Sequence, residues 1–305
     1  MVFLKRRLKN DEETEDVHHV VILPDDRLLG FGFSGDPSRA GGLYAQHLTL
    51  LRLLSGSSAL ILLAAAVRMR LPEAKDIPII LLLGFLGFSA YHTLLNQGEE
   101  TVSAGMASLL VTTTPIFSAL LARLFFAERF GAAKWLGSGI SFLGVMLISL
   151  GVGNFENTAA GVLFILLAAI CESIYFVFQE RYIQKYGFIP FVSYAIWGGT
   201  IPMLFFLPGL FEELSHASIQ STASVVYLGL LPTVVPYFAL AYITSYRGSS
   251  EAAISLYLTP AATLFISWVW IGEIPAFLSL AGGIITIGGV LFTYRGTKNS
   301  IYKLE

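Results

Sequence analysis

Glu172 stands 13 residues into an apolar run of about 22, so a helix rising 1.5 Å per residue carries its carboxylate close to the middle of a bilayer. An unpaired carboxylate at that depth is costly, and the default reading is a proton acceptor or a contact for a cationic solute. The plain alternative is a protonated glutamate hydrogen-bonded to a neighbouring helix. Tyr175, three residues on, shares its helical face and is the expected partner. Pro115 and Pro260 each interrupt another apolar run near its middle. Each ring removes the hydrogen bond to the carbonyl four residues earlier, at Val111 and Leu256. Thr112, Thr113, Thr114, Ser255, Tyr257 and Thr259 place hydroxyls beside these interruptions. They either line a polar site or satisfy the freed backbone. Arg52, six residues into its own run, either reaches outward along its stem or touches solute. His92 reads first as a packed histidine and second as a cavity lining. Asn96, Gln97 and Glu99 read as a solvated helix end, and so do Gln179, Glu180 and Arg181.

Helices must hold these groups, and composition says in what solvent. Of 305 residues, 55% are hydrophobic and 13% charged, with a mean hydropathy of +0.69. Globular chains carry about 25% charged residues, so water is the wrong solvent and a bilayer the right one. A net charge of −2 offers no basic face for nucleic acid. One cysteine, Cys171, excludes an intrachain disulfide and supports neither a metal set nor a Cys/His catalytic pair. No nucleotide-binding loop is present, so an ion or solute gradient is the expected energy source.

Runs of spanning length lie near 46–67, 78–98, 102–126, 132–151, 159–180, 189–209, 222–245, 250–271 and 276–294. They are continuously apolar without a period of two, which favours helices over barrel strands. Alternate breaks hold Arg68, Arg70 and Lys75; Arg123, Arg129 and Lys134; Arg181 and Lys185; Arg247; and Arg295, Lys298 and Lys303. The intervening breaks hold no Lys or Arg, a split of 12 against 0 that predicts the first set to be cytoplasmic.

A shift of 145 lays Thr114 on Thr259, Pro115 on Pro260, Gly84 on Gly229, Gly137 on Gly282 and Gly144 on Gly289. The chain therefore reads as a duplication with five spans in each half. Five is odd, so the halves are expected to cross the membrane in opposite senses, an inverted repeat with a site near the midplane.

Thr101-Val-Ser-Ala-Gly-Met-Ala-Ser-Leu-Leu, Thr114-Pro115, Ala127-Glu128-Arg129 and the Gly137/Gly144 helix resemble the EamA-like family of the drug/metabolite transporter superfamily. A weaker second copy follows in Ser250-Glu-Ala-Ala-Ile, Thr259-Pro260, Gly272-Glu273 and Gly282/Gly289. The resemblance covers residues 46 to 295. It implies an all-α integral membrane fold of ten spans, nine of them clearly recognisable, arranged as two inverted five-helix repeats. It also implies cytoplasmic termini and a central cavity open alternately to each side.

The first span departs from that pattern. Residues 16–39 carry Asp25, Asp26 and Arg27 near their middle, each costing roughly 2.5–3.5 kcal/mol on insertion scales. Either nine spans exist, or residues 1–45 come from a shifted reading frame or faulty gene model. Gly30-Phe-Gly-Phe and Arg39-Ala-Gly look like fragments of a normal first span and favour the second reading.

The expected organisation is an atypical segment 1–45, a first repeat 46–151 with spans two to five, and a second repeat 159–295 with spans six to ten. The expected function is a secondary active transporter exporting or exchanging a small organic metabolite or drug across the cell membrane, proton-coupled through Glu172. Its binding residues are expected among Glu172, Tyr175, Thr114, Pro115, Ser255, Tyr257, Thr259, Pro260 and Arg52. Expected partners are a small-molecule substrate and membrane lipid, with a homodimer left open. No nucleic acid, cofactor or metal is expected. A membrane enzyme is disfavoured, since no pair of acids, or of histidine with acid, shares one depth. A non-transporting scaffold or sensor, a decayed transporter, is the competing reading.

Overall fold

The computed structural model describes residues 44–102, 104–126, 131–152, 159–262, 265 and 276–301. The readings made for residues 1–43 lie outside that set. Among the described residues, helices α1 (Ala45–Ala66), α2 (Ile77–Glu99), α3 (Ala104–Val111), α4 (Thr114–Phe126) and α5 (Ala132–Val152) come first. They are followed by α6 (Ala159–Tyr186), α7 (Phe188–Met203), the short α8 (Leu210–His216), α9 (219–247), α10 (Ser249–Ser255) and α11 (Phe277–Ile301).

Seven of the described helices are long and apolar enough to cross a membrane. Two shorter apolar helices, Ala252–Ala262 and Phe277–Thr293, stand where spans 250–271 and 276–294 were expected. The bundle's outward faces are apolar: Leu62, Leu124, Phe205 and Ile284 are all largely exposed. A surface of that kind faces lipid.

Local sequence sets the helix ends. No proline and no glycine interrupts α6 after Gly161, so it runs on to Tyr186, past the expected end at residue 180. Ile183, buried in the main core with Tyr182 and Tyr186 against it, explains the extra turns. Gly187 then adopts φ +86° and Gly248 φ +87°, a region that side chains disfavour. Each lets the chain turn back within one residue into the next helix.

Four interruptions break the regular ladders. A π turn covers Phe85–Ala90 in α2, and another covers Gly229–Thr233 in α9. Non-helical pairs stand at 112–113, between α3 and α4, and at 256–257, after α10. Both kinds recur in the second half, beginning 144 residues on and so within one residue of the 145-residue shift read from the sequence.

The main core joins α1, α2, α6, α7 and α9 through Leu50, Leu53, Phe88, Tyr175, Phe176, Phe191 and Tyr237. The most extensively packed helix pair is α5 with α11. There a Cβ on Gly289 would lie 2.7 Å from the Gly137 carbonyl oxygen, and one on Gly282 would lie 2.5 Å from that of Gly144. The two backbones touch because side chains are missing. As residue numbers rise along α5 they fall along α11, so the two helices run antiparallel.

Candidate functional site

A cavity of about 220 Å³ lies among α1, α2, α3, α6, α9 and the 256–260 segment. Thr112, Pro232 and Leu256 bring three of the four interruptions to its wall, and the fourth, the π turn of α2, ends one residue before the lining Tyr91. Among its polar groups is Glu172, buried on α6. Thr114 Oγ1, at the first turn of α4, donates to Glu172 Oε2 at 3.0 Å. Tyr237 Oη on α9 reaches Glu172 Oε1 at 3.5 Å and the Gly87 carbonyl at 3.3 Å. Gly87 belongs to the π turn of α2, and π turns release carbonyls from the regular ladder. The same tyrosine thus reads both the bulged backbone and the buried acid. Ser173, beside Glu172, donates to the Thr114 carbonyl at 3.0 Å and ties the break to α6.

A second polar wall faces this acid from α1 and α2. Arg52 is 3% exposed, and its Nε donates to Thr233 Oγ1 at 2.6 Å. Thr233 lies in the π turn of α9 and donates in turn to the Leu228 carbonyl at 2.9 Å. His92, also 3% exposed, lines the cavity beside Tyr91. Glu99 lines it too. Leu95, Val111, Leu240, Leu256 and three prolines, Pro232, Pro236 and Pro260, give the remaining wall an apolar character. An apolar wall with a few convergent polar groups is the usual make-up of a small-molecule site. The volume is below the roughly 300–1,000 Å³ of drug-sized sites.

Two family-model matches to the EamA-like transporter family cover residues 38–150 and 159–295. This chain belongs to that family. An uncharacterized transporter of Bacillus subtilis, YdfC, is 64% identical over 277 residues, 90% of each chain. A probable terminal-alkyne amino-acid exporter of Streptantibioticus cattleyicolor is 37% identical over 250 residues, 82% of this chain and 84% of the other. A solved crystal structure shares the fold at 17% identity, with a TM-score of 0.69 over 87% of this chain and 95% of that one. Family membership and the apolar helices together make this EamA-like protein a multi-pass membrane transporter.

Within the EamA-like fold, Glu172, Arg52, Thr259 and Pro260 line the cavity, and Thr114 touches it through Glu172. Tyr175 does not partner Glu172. Its ring packs against Phe88, Phe191 and Tyr237, and its hydroxyl finds no hydrogen bond among the described residues. Three residues along a helix turn through about 300°, and here the neighbouring aromatic rings claimed that face. Tyr257 is likewise fully buried beside the cavity, packed with Val145 and Val290. Pro115 shapes the α3–α4 break without lining the cavity. Ser255 Oγ donates to the Ala252 carbonyl at 2.6 Å, and Thr112 and Thr113 serve Leu109 and Leu110 in the same way. All three hydroxyls satisfy backbone carbonyls, and Thr112 lines the cavity as well.

Arg52 does not snorkel, because Thr233 holds it inside the wall. Asn96 is no solvated helix end either: it is 3% exposed and donates to Thr49 Oγ1 at 2.9 Å. Gln179 is buried, and Glu180 Oε2 accepts the Ser249 backbone N–H at 2.8 Å. Tyr237 was missed altogether. Its signal was present, since the 145-residue shift lays it on His92, and both line the cavity.

Proposed function

We propose that this chain is a secondary active transporter that exports or exchanges a small organic metabolite, with Glu172 as its proton-coupling or cation-binding centre. The observation that carries this reading is the buried Glu172 carboxylate, held by two neutral hydroxyls, Thr114 and Tyr237, on the wall of an internal cavity. A hydroxyl can donate to a carboxylate and, by turning, accept from a carboxylic acid, so these two partners accommodate both protonation states of Glu172. A proton and a solute that compete for it are thermodynamically linked, and the linkage is what drives one with the other.

The basic loops place the end that carries Arg68, Lys75, Lys185 and Arg247 in the cytoplasm and the end that carries Glu99 and Glu213 outside. The cavity is lined by Glu172 and by Glu99, which belongs to the end read as outer. Export follows the printed name of the Streptantibioticus relative, and the small volume favours a metabolite over a drug. Two inverted repeats, 46–151 with spans two to five and 159–295 with spans six to ten, meet at the cavity in this reading and supply the rocking halves. The recurrence of both π turns and both breaks within one residue of the 145-residue shift supports the division.

Transport in proteoliposomes tests the reading. A solute gradient is expected to drive pH-dependent flux of a small metabolite, and Glu172→Gln is expected to remove the pH dependence. Purified, folded protein that moves no member of a broad metabolite panel in either direction would sink it.

A further inference from the structure

We propose that Arg52 and His92 form an anion subsite that takes a carboxylate of the transported solute. The proposal rests on the cavity being the transport site and adds the chemistry of one end of its cargo. His92 is 3% exposed and lines the cavity, yet neither Nδ1 nor Nε2 has a hydrogen-bond partner among the described residues. A neutral imidazole always carries one N–H donor, and a protonated one carries two. Buried donors of that kind are rarely left unmade, so their presence on a cavity wall points to a partner that arrives from the cavity.

The position of His92 is fixed by the chain. Asn96 Nδ2 donates to Thr49 Oγ1 at 2.9 Å and clamps α2 to α1. One turn deeper, three residues on from Thr49 and four back from Asn96, come Arg52 and His92. Helical periodicity brings both onto the same facing surfaces. The Tyr91 ring stands 4.8 Å from the imidazole, tilted by 60°, and braces it from the side. Arg52 is anchored through Nε to Thr233, which fixes its planar head in the wall. A guanidinium keeps its charge at any working pH and matches a carboxylate with its fork of donors.

Glu99 and Glu172 also line this cavity, so a solute carboxylate competes with two resident ones for the cation. His92 breaks that tie, since its N–H is unclaimed. The solute's carboxylate takes charge from Arg52 and a directed hydrogen bond from His92. The rest of the molecule lies along the apolar wall formed by Val111, Leu240 and Pro236.

The test compares each acid with its own amide, which keeps size and shape and removes the charge. The purified full chain is titrated in detergent with a panel of L-amino acids that includes L-propargylglycine, and with the matching carboxamides. Thermal unfolding is the readout. The expected result is half-saturation at a concentration about tenfold or more lower for at least one acid than for its amide. The preference should collapse in His92→Leu and survive in part in His92→Gln, which keeps a donor, with both variants eluting as monodisperse protein. Acids and amides that stabilise equally, as they would if water alone satisfied His92, overturn the subsite. So does a panel in which no acid stabilises the protein. If acid and amide are carried alike in proteoliposomes while Glu172→Gln alters their flux, the subsite fails and the transporter reading stands. If nothing is carried, the transporter reading itself fails.

Discussion

Ser141 and Thr286, 145 residues apart, each direct a hydroxyl at the other's backbone: Ser141 Oγ donates to the Thr286 carbonyl at 3.2 Å, and Thr286 Oγ1 to the Ser141 carbonyl at 3.5 Å. Residue and shift-equivalent meet face to face, so a local two-fold axis passes between them. On either side Gly137 meets Gly289 and Gly144 meets Gly282. An axis perpendicular to two helices turns one up and the other down. Such a relation is what opposed halves of an inverted repeat require, and it supports that organisation at its seam.

The seam makes a sharp stability prediction. A Cβ at Gly289 would lie 2.6 Å from the Ser141 amide nitrogen and 2.7 Å from the Gly137 carbonyl oxygen, all backbone that cannot rotate away. Gly288, one residue earlier, has nothing within 4 Å. Gly289→Ala is therefore expected to destabilise by about 1–3 kcal/mol, the usual range for overpacking. Gly288→Ala is expected to be silent. Thermal unfolding in detergent reads both, and equal midpoints for the two variants would contradict the close packing.

Much of this arrangement was legible in the sequence for a physical reason. Spans, prolines and packing glycines are one-dimensional signals: an apolar run, a missing N–H and a missing side chain each act where they stand. Glu172 was legible because a carboxylate in an apolar run has few other uses. Its partners were not. Tyr237 is 65 residues away in sequence, and only packing decides that it, and not Tyr175 on the same helix, meets the acid. The π turns were hidden too, because Phe85–Ala90 contains no residue that forbids an ordinary helix. The choice between the two readings of Arg52 was not legible, because its anchor, Thr233, lies 181 residues away.

Helix direction can be checked from either side of the membrane. Gly131 and Ala276 are both exposed and lead directly into α5 and α11. Since those helices are antiparallel, single cysteines at the two positions, in a Cys171→Ser background, should react with an impermeant maleimide from opposite faces. Gly131→Cys is expected to label from the cytoplasmic side and Ala276→Cys from outside. Labelling of both from one face would end the inverted-repeat proposal.

The basic end of the bundle is closed by α6 against the α9–α10 turn. Glu180 Oε2 accepts the Ser249 N–H at 2.8 Å, and Gln184 Nε2 donates to the Ser245 carbonyl at 3.1 Å. On the proposed transport reading, opening the cavity at this end requires these contacts to part. Glu180→Ala should raise the inward-open population, read as faster labelling of a cysteine at Gln179, which is 1% exposed here. Conserved protection of Gln179→Cys in the Glu180→Ala background would remove this contact from the gate.

The pH dependence of transport should trace to one carboxylate, and the loop acids can be set aside by the sign of their shifts. Glu73 and Asp76, between α1 and α2, pair with Lys185 at 2.8 and 2.5 Å. The Lys185 ammonium, followed by Lys75 for Glu73 and by the Tyr186 hydroxyl for Asp76, holds both carboxyls below their ordinary 4.5 and 3.8. A depressed folded-state value means that this contribution is complete above the unfolded value and is lost as pH falls through the folded one. Both carboxyls therefore titrate below their ordinary values and stay ionised throughout the window from about pH 5 to 8. Asp76→Asn should leave the pH profile of flux over that window unchanged. Glu172→Gln should flatten it and lower proton-driven flux by about tenfold or more, with counterflow exchange spared. A profile that flattens in Asp76→Asn and persists in Glu172→Gln would move the coupling site from the midplane to the loop.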